Sequence, residues 1–323
     1  MSHGSTVNLC ALDVSKAFDR MSHHGLFIKL MSRFVPSTLL AVLEDWFSKC
    51  YTYVCWNFHY SAFFRLLCGV RQGGVLSPYL FALFIDDVIG SVARTNFGCK
   101  FRFINISIVL YADDILLLAP SIYSLQTLLT SCENKLRSLG LEINVKKSMA
   151  IRIGPRFNVV CPPLLMSDGR QVQWVDCIRY LGVYIKSSRY FRCLFDRAKR
   201  SFYRSFNAVF GKIGRSASEE VILQLISSKC LPCLLYGLDV CPANRSEVNS
   251  LEFPFTRVLM KLFKTKSKDV VNQCQEFFGL PTVAELIRRR KLRFLGNYLA
   301  SLNSICLLFR SVAFAEQTSL FSS

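Results

Sequence analysis

The stretch YADDILLLAP, residues 111–120, sets two adjacent aspartates inside one of the most apolar runs of the chain. A carboxylate drawn unpaired into an apolar interior is strongly disfavoured, or shifts its pKa until it is neutral. Side chains alternate faces along a strand, so an unbroken strand through Asp113 and Asp114 would bury one of them. A turn at the pair avoids this. SIVLYA and ILLLAP then read as the arms of a hairpin whose tip carries both carboxylates, and Ser121 caps a helix running to about Leu139.

Upstream, VNLCALDVS reads as a buried strand ending in a carboxylate, Asp13. A helix starts near Ser22, with Leu26, Leu30, Met31 and Phe34 at helical spacing. A second begins at Pro36 and carries Leu39, Leu43, Trp46 and Phe47. Residues 51–68, rich in aromatic and β-branched side chains, predict a β-hairpin. In RQGGVLSPYLFALFIDDVIGSV, Ser77 is a natural N-cap and Pro78 a natural first helical residue of a strongly apolar helix. Downstream, LEINVKKSMAIRIG and IRYLGVYI add strands, and from about residue 190 the pattern turns mainly helical. The fold class is α+β.

The 323 residues carry 40 Lys and Arg against 22 Asp and Glu, a net charge of +18, which favours polyanionic partners such as nucleic acid. The excess is uneven: residues 1–150 hold 14 basic and 10 acidic residues, and residues 151–323 hold 26 and 12. No run reaches the length of apolar sequence a membrane helix needs, and MSHGSTVNLCALDVSK lacks the layout of a signal peptide. An intracellular protein, cytoplasmic or nuclear, with no membrane partner is the expectation. The 14 cysteines read as reduced and mostly buried. The one CxxC, Cys230 to Cys233, has no second pair at zinc-like spacing, and all four histidines lie far upstream.

If the strand ending at Asp13 pairs beside the hairpin, then Asp13, Asp113 and Asp114 converge on one site. As an isolated dipeptide, Asp-Asp would mark only a turn. Three carboxylates with no imidazole or thiolate set suit a hard cation such as Mg²⁺, with Mn²⁺ as a substitute. Two such ions about 4 Å apart would activate an attacking hydroxyl and stabilise departing pyrophosphate, which is nucleotidyl transfer.

The ordered set ALDVSKAFDR, RQGGVLSPYLF, YADD, LGLEINVKKS and RYLGVYI resembles motifs A to E of reverse transcriptases, and its wording is most similar to the LINE-type (non-LTR) retrotransposon branch. The resemblance is sharp over about residues 7–187. It implies a right-hand polymerase: a palm of antiparallel sheet and packed helices over residues 1–187, with a partial fingers or palm insert at 22–68. A basic thumb-like and connector region at 188–300 and a tail at 301–323 would follow. The implied activity is RNA-directed DNA polymerisation, with an RNA template, a DNA primer and dNTPs as partners. The alternative left open is a catalytically silent remnant, or a maturase-like RNA-binding protein, that keeps the fold.

Carried over residue by residue, the resemblance implies that Asp13 and Asp113 hold two Mg²⁺ ions, with Asp114 assisting and the Val14 carbonyl as a further ligand. Phe18 matches the aromatic gate that disfavours a 2′-OH, while Asp19 caps or ion-pairs. Gln72 matches the glutamine that contacts the incoming nucleotide, with Arg71 its basic neighbour. Gly73 and Gly74 let backbone approach that nucleotide closely. Lys147 matches a lysine that protonates or neutralises departing pyrophosphate, with Lys146 facing away. Tyr180, Leu181 and Gly182 match a primer-grip turn, and Asp86 and Asp87 read as polar-face residues.

Residues 189–215 interleave basic and aromatic side chains. Phe195, Ala198, Phe202, Phe206, Val209 and Ile213 fall on one helical face, leaving Arg197, Arg200 and Arg204 for phosphates. The run Arg288, Arg289, Arg290, Lys291 and Arg293 reads equally as an RNA contact or a charged face. No fingers region precedes Asp13 and no endonuclease accompanies it, so a fragment of a longer reading frame is expected.

Overall fold

The computed structural model describes residues 5–101, 104–214 and 216–322. In chain order the elements are β1 (Val7–Asp13), α1 (His23–Ser32), α2 (Ser37–Ser48), β2 (Tyr51–Thr52), β3 (Cys55–Trp56), β4 (His59–Tyr60), β5 (Phe64–Arg65) and α3 (Ser77–Arg94). Then come β6 (Cys99–Phe101), β7 (Ile104–Ile106), β8 (Ile108–Tyr111), β9 (Asp114–Ala119), α4 (Ile122–Ser138), β10 (Met149–Ile153), β11 (Leu164–Leu165), β12 (Gln171–Trp174), β13 (Cys177–Tyr180), β14 (Val183–Lys186) and β15 (Arg192–Leu194). The remainder is helical: α5 (Asp196–Ile213), α6 (Glu219–Leu225), a π-helical turn (Ile226–Cys230), α7 (Leu231–Leu235), α8 (Arg245–Leu262), α9 (Lys268–Phe277), α10 (Val283–Ala300), α11 (Ser304–Leu308) and α12 (Arg310–Ser322). Two compact units result, one of Met1–Leu181 with Lys186–Phe191, the other of Gly182–Ile185 with Arg192–Ser323.

The first unit is built on a six-stranded sheet in the order β11-β12-β10-β1-β9-β8. Its apolar strand β1 pairs antiparallel with β10 on one side and β9 on the other, which explains why VNLCALD is buried along most of its length. The sheet is antiparallel except for β10 and β12, which run parallel. That pairing modifies the all-antiparallel expectation, because the long connection through β11 returns β12 in the same direction as β10. Helices α3 and α4 supply the facing layer with Leu80, Phe81, Phe84, Ile85, Leu125 and Leu128, all buried in one core with β1 and β9.

Ser22 and Ser121 cap α1 and α4 as expected, each hydroxyl accepting from the backbone N–H three residues on. Three expectations shift. Ser77 lies inside α3 rather than capping it, because its hydroxyl donates to the Arg71 carbonyl at 2.6 Å and Leu76 takes the cap position. Phe34 is 93% exposed, since α1 stops at Ser32 and Phe34 itself adopts φ +57, outside the helical period; Met31 and Leu39 are exposed as well. The stretch LEINVKKS forms no strand of the sheet, only a single bridge from Ile143 to Val14, and β10 begins after it. The 51–68 segment is two nested hairpins, β2 with β5 and β3 with β4.

Asp86 and Asp87 do belong to the polar face of α3. Asp86 pairs with Arg33, and Asp87 lies 3.0 Å from Lys29 and 3.7 Å from Lys135, joining α1, α3 and α4. The hydrogen bond from Lys29 holds the Asp87 carboxyl below its ordinary value. A depressed carboxylate contributes stability above its unfolded pKa, and that contribution is lost as pH falls through the folded value. Asp87→Asn should therefore lower the melting temperature at pH 7 and converge with the unmodified chain in strong acid. Parallel melting curves at both pH values would sink this assignment.

The second unit packs Phe202 and Phe206 of α5 against α7 and α8, around Leu234, Leu251, Phe255 and Leu259. Arg197, Arg200 and Arg204 remain exposed on α5. Residues 301–323, read as a tail, form α11 and α12 within the described residues. Thiols are free throughout the described residues, but Cys55 and Cys68 are exposed and several others half-buried, so burial describes only part of the set. No helix of the described residues is long and apolar enough to cross a membrane.

Candidate active site

The β8–β9 hairpin turns through Ala112 and Asp113, with Tyr111 paired to Asp114. Ala112 takes φ +52, a left-handed value that a residue with a Cβ rarely adopts, so the tip is held under backbone strain. On the other side of β9, Asp114 is directly opposite Asp13 in the β1 register. The three carboxylates therefore meet at one edge of the sheet, at the ends of three adjacent strands. Burial, then Asp113, then Asp13 push the Asp114 carboxyl above its ordinary value, against the pull of Arg179. Burial and the neighbouring carboxylates both disfavour the charged form of Asp114, so in chelator-treated buffer at pH 7 Asp114→Asn should raise the melting temperature; a lower one would show that this cost is already compensated.

Beside this edge is an open cleft of about 520 Å³, lined by Asp13, Val14, Phe18, Gln72, Asp113 and Lys147 among others. Its floor is held by the loop that follows α4. Ser15 donates to Glu142 O and Asn144 donates to Asp13 O, each at 2.8 Å, and the Ser148 hydroxyl accepts from Asp13 N at 3.2 Å. That loop brings Lys147 Nζ to 3.9 Å from the Asp13 carboxylate. Lys146 does not line the cleft.

The opposite wall is the turn after β1. Phe18 stacks on the buried ring of Phe81, centroids 4.4 Å apart and planes at 29°. Val70 donates to Phe18 O at 2.9 Å and Gly69 to Met21 O at 2.8 Å, so the RQGG turn is tied to the turn carrying Phe18. Gly69 takes φ +85, and a Cβ there would stand 2.9 Å from Asp19 O; only glycine permits this approach. Gly73 takes φ +84 with open space around it. Gln72 donates to Asp19 at 3.3 Å, so Asp19 holds the glutamine in place of capping or ion-pairing.

Six expected residues thus share one cleft, whereas Arg71, Gly73 and Asp114 do not line it. Burial, and after it the Asp114 charge, pushes the Tyr180 phenol up to about 12, and its buried hydroxyl has no hydrogen-bond partner among the described residues. Leu181 and Gly182 both take left-handed φ, as a tight turn requires. Arg197, Arg200 and Arg204 belong to the other unit. Lys16 and Asn144 also line the cleft and were not anticipated. Lys16 could have been found, three residues beyond Asp13 on the same turn; Asn144 is placed only by a long-range backbone bond.

Among the described residues no three His, Cys, Asp or Glu side chains form a group that could enclose a metal ion. The cleft offers instead the carboxylates of Asp13 and Asp113 and the main chain of Val14, with the third lining carboxylate, Asp19, accepting from Gln72. This all-oxygen, incomplete set fits Mg²⁺, which keeps several waters and is bound through one or two protein carboxylates with substrate phosphates supplying further oxygens.

The family model for reverse transcriptase (RNA-dependent DNA polymerase) matches residues 2–185. The chain is 30% identical over 243 residues to the retrovirus-related Pol polyprotein from type-1 retrotransposable element R2 of Popillia japonica, covering 72% of this chain and 33% of that protein. It is 25% identical over 264 residues to the RNA-directed DNA polymerase from mobile element jockey of Drosophila melanogaster, covering 78% of this chain and 28% of that protein. Among solved structures, apo telomerase from Candida tropicalis truncated from the C-terminal domain aligns at 14% identity and TM-score 0.44, over 58% of this chain and 35% of that one. The chain spans about a third of the length of the curated relatives it matches. By its family match and its likeness to these mobile-element proteins, the chain belongs to the reverse transcriptases of non-LTR retrotransposons.

Proposed function

We propose that this chain is the catalytic portion of an RNA-directed DNA polymerase, which joins dNTPs to a primer 3′-OH on an RNA template. The observation that carries the reading is the register pairing Asp13 with Asp114 beside the Asp113 turn, which collects carboxylates from separate parts of the sequence at one cleft. Asp13 and Asp113, with the Val14 carbonyl, would hold Mg²⁺, or Mn²⁺ in its place. The bound cation would supply charge neutralisation for the attacking and leaving oxygens.

The chain's own residues account for the rest. Phe18, backed by Phe81, presents a rigid ring where an incoming sugar would lie, so a 2′-OH meets carbon and loses its hydrogen bonds. Gln72 is pre-oriented by Asp19 toward the nucleotide. Lys147, beside Asp13 and largely exposed, can neutralise phosphate charge or deliver a proton to departing pyrophosphate. Arg71 and Gly73 act from the turn beneath, Gly73 through its backbone. Tyr180, Leu181 and Gly182 are assigned to the primer, and Arg197, Arg200 and Arg204 to the phosphates of the duplex.

Primer extension on an RNA template with Mg²⁺ tests the reading, alongside Mn²⁺ binding followed by its electron spin resonance signal. Extension with dNTPs, and a Mn²⁺ site that Asp113→Ala removes, is the expected result. Template binding with neither extension nor a Mn²⁺ site would overturn it and leave a silent, RNA-binding relative.

A further inference from the structure

The second unit carries a cleft of about 1010 Å³ between α5 and α8, reaching the start of α9. Four cations line it: Arg257, Lys261, Lys266 and Lys268. Its single carboxylate, Glu252, is already engaged, accepting from the N–H of Val283 at 2.8 Å and from that of Ala284 at the start of α10. None of the four cations is in an ion pair among the described residues, although Glu252 feels the charge of Lys268. The contrast lies in the same unit. Of the basic run on α10, Arg289 pairs with Glu285, Arg290 with Asp239 at 2.8 Å and Lys291 with Glu316, while Arg288 donates to the Leu320 carbonyl. Those four side chains are held by partners within the unit. The cations of the cleft are not held in this way.

The aromatic groups are arranged differently from a core. Phe253 is 61% exposed, with the Arg257 guanidinium 5.9 Å from its ring centre, and Tyr203 lines the facing wall from α5. Lys261 lies over the rings of Phe206 and Phe210, at 5.5 and 4.7 Å, so its stem packs while its charge stays at the cleft. Asn207 and Asn249 add amide edges. Free cations along a groove, exposed π faces and amide donors and acceptors match an unpaired nucleic-acid strand: phosphates meet the cations, bases stack on rings or guanidinium planes, and base edges meet the amides. A paired duplex buries the base faces that Phe253 would need.

We propose that the α5–α8 cleft is a binding site for single-stranded nucleic acid, separate from the duplex phosphates assigned to Arg197, Arg200 and Arg204. The class of ligand rests on the family reading; the location does not. The full chain is titrated, by fluorescence anisotropy, into labelled oligouridylate and oligothymidylate of about twelve nucleotides, within the usual site sizes, and into a blunt RNA–DNA duplex. Phe253→Ala should weaken single-strand binding at least about fivefold, the lower end for one stacked base, and leave duplex binding unchanged. Lys266→Gln with Lys268→Gln should reduce the salt slope for single strands by about 0.7 per lysine. Both lysines and Phe253 are exposed, so these variants keep the core. The uridylate and thymidylate arms show whether ribose or deoxyribose is preferred.

Unchanged single-strand affinity in both variants overturns the proposal, as does an equal loss toward the duplex. Loss of binding to phosphatidylserine vesicles with oligonucleotide binding intact overturns it in favour of a lipid surface. Single-strand binding that persists in Asp113→Ala while extension is lost separates the failure of this site from that of the polymerase reading.

Discussion

Replacing Asp113 with alanine should lower RNA-templated primer extension by about 10²- to 10³-fold, the range seen when one preorganised charge-stabilising group is removed. Asp113 is in the turn, not in the ladder, so the substitution deletes a carboxylate from the cleft without removing a strand hydrogen bond. Alanine also matches the Ala112 neighbour in size, so the strained turn keeps its backbone. The loss should therefore appear with little change in melting temperature. Asp13→Asn should behave similarly but with an added effect, since Lys147 at 3.9 Å loses its charged neighbour and its contribution to the leaving group changes with it. Measured as single-turnover rates with saturating template, the Asp113 variant should fall while template affinity holds. Extension within tenfold of the unmodified chain would remove Asp113 from the chemistry.

The hairpin at residues 111–120 was legible because two aspartates cannot share one buried strand, and that single constraint fixes a turn. Asp13 followed from the same reasoning, as the end of an apolar strand, and the antiparallel register then supplied the convergence. Caps at Ser22 and Ser121 were legible because they depend on neighbours three residues away. What was not legible depends on distant partners. Ser77 has the side chain of a cap, but the Arg71 carbonyl takes its proton. The run LEINVKKS alternates like a strand, yet its backbone is bonded to the end of β1, 130 or so positions away, and turns instead. Gly69 had no local signal at all, since the atom it makes room for belongs to Asp19.

The 51–68 segment shows what composition carries and what it does not. Its aromatic and β-branched residues do form strands, but Trp56 is 76% and Phe58 92% exposed, because hairpins two residues long have no opposing layer in this unit. Apolar content predicts strand there, not burial. The basic run on α10 shows the converse. It read equally as a polyanion contact or a charged face, and Arg290 and Lys291 are paired by carboxylates that the linear sequence placed far away, Asp239 and Glu316.

Phe81→Ala should be the most damaging single substitution for the first unit, at about 3–5 kcal/mol, the usual cost of emptying a buried phenyl site. Phe81 has no exposed surface and lies in α3 at the centre of the layer facing β1 and β9. On that scale the unfolding midpoint of the unit falls by about 6–20 °C. The second consequence is chemical. The ring of Phe18 rests on that of Phe81 at 4.4 Å, so the mutation opens a void directly behind the proposed gate. A side chain with a void behind it can withdraw, and discrimination against ribonucleotides should then weaken even though no atom of Phe18 has changed. Phe18→Val provides the comparison: it removes the ring itself, should relax sugar discrimination as much or more, and should cost far less stability because Phe18 is only half-buried. Competition between ribo- and deoxyribonucleotides, measured for both variants well below their melting temperatures, separates the two effects. If Phe81→Ala keeps full discrimination while Phe18→Val loses it, the backing ring has no part in selectivity and its role is packing alone; if both retain it, Phe18 is not the gate.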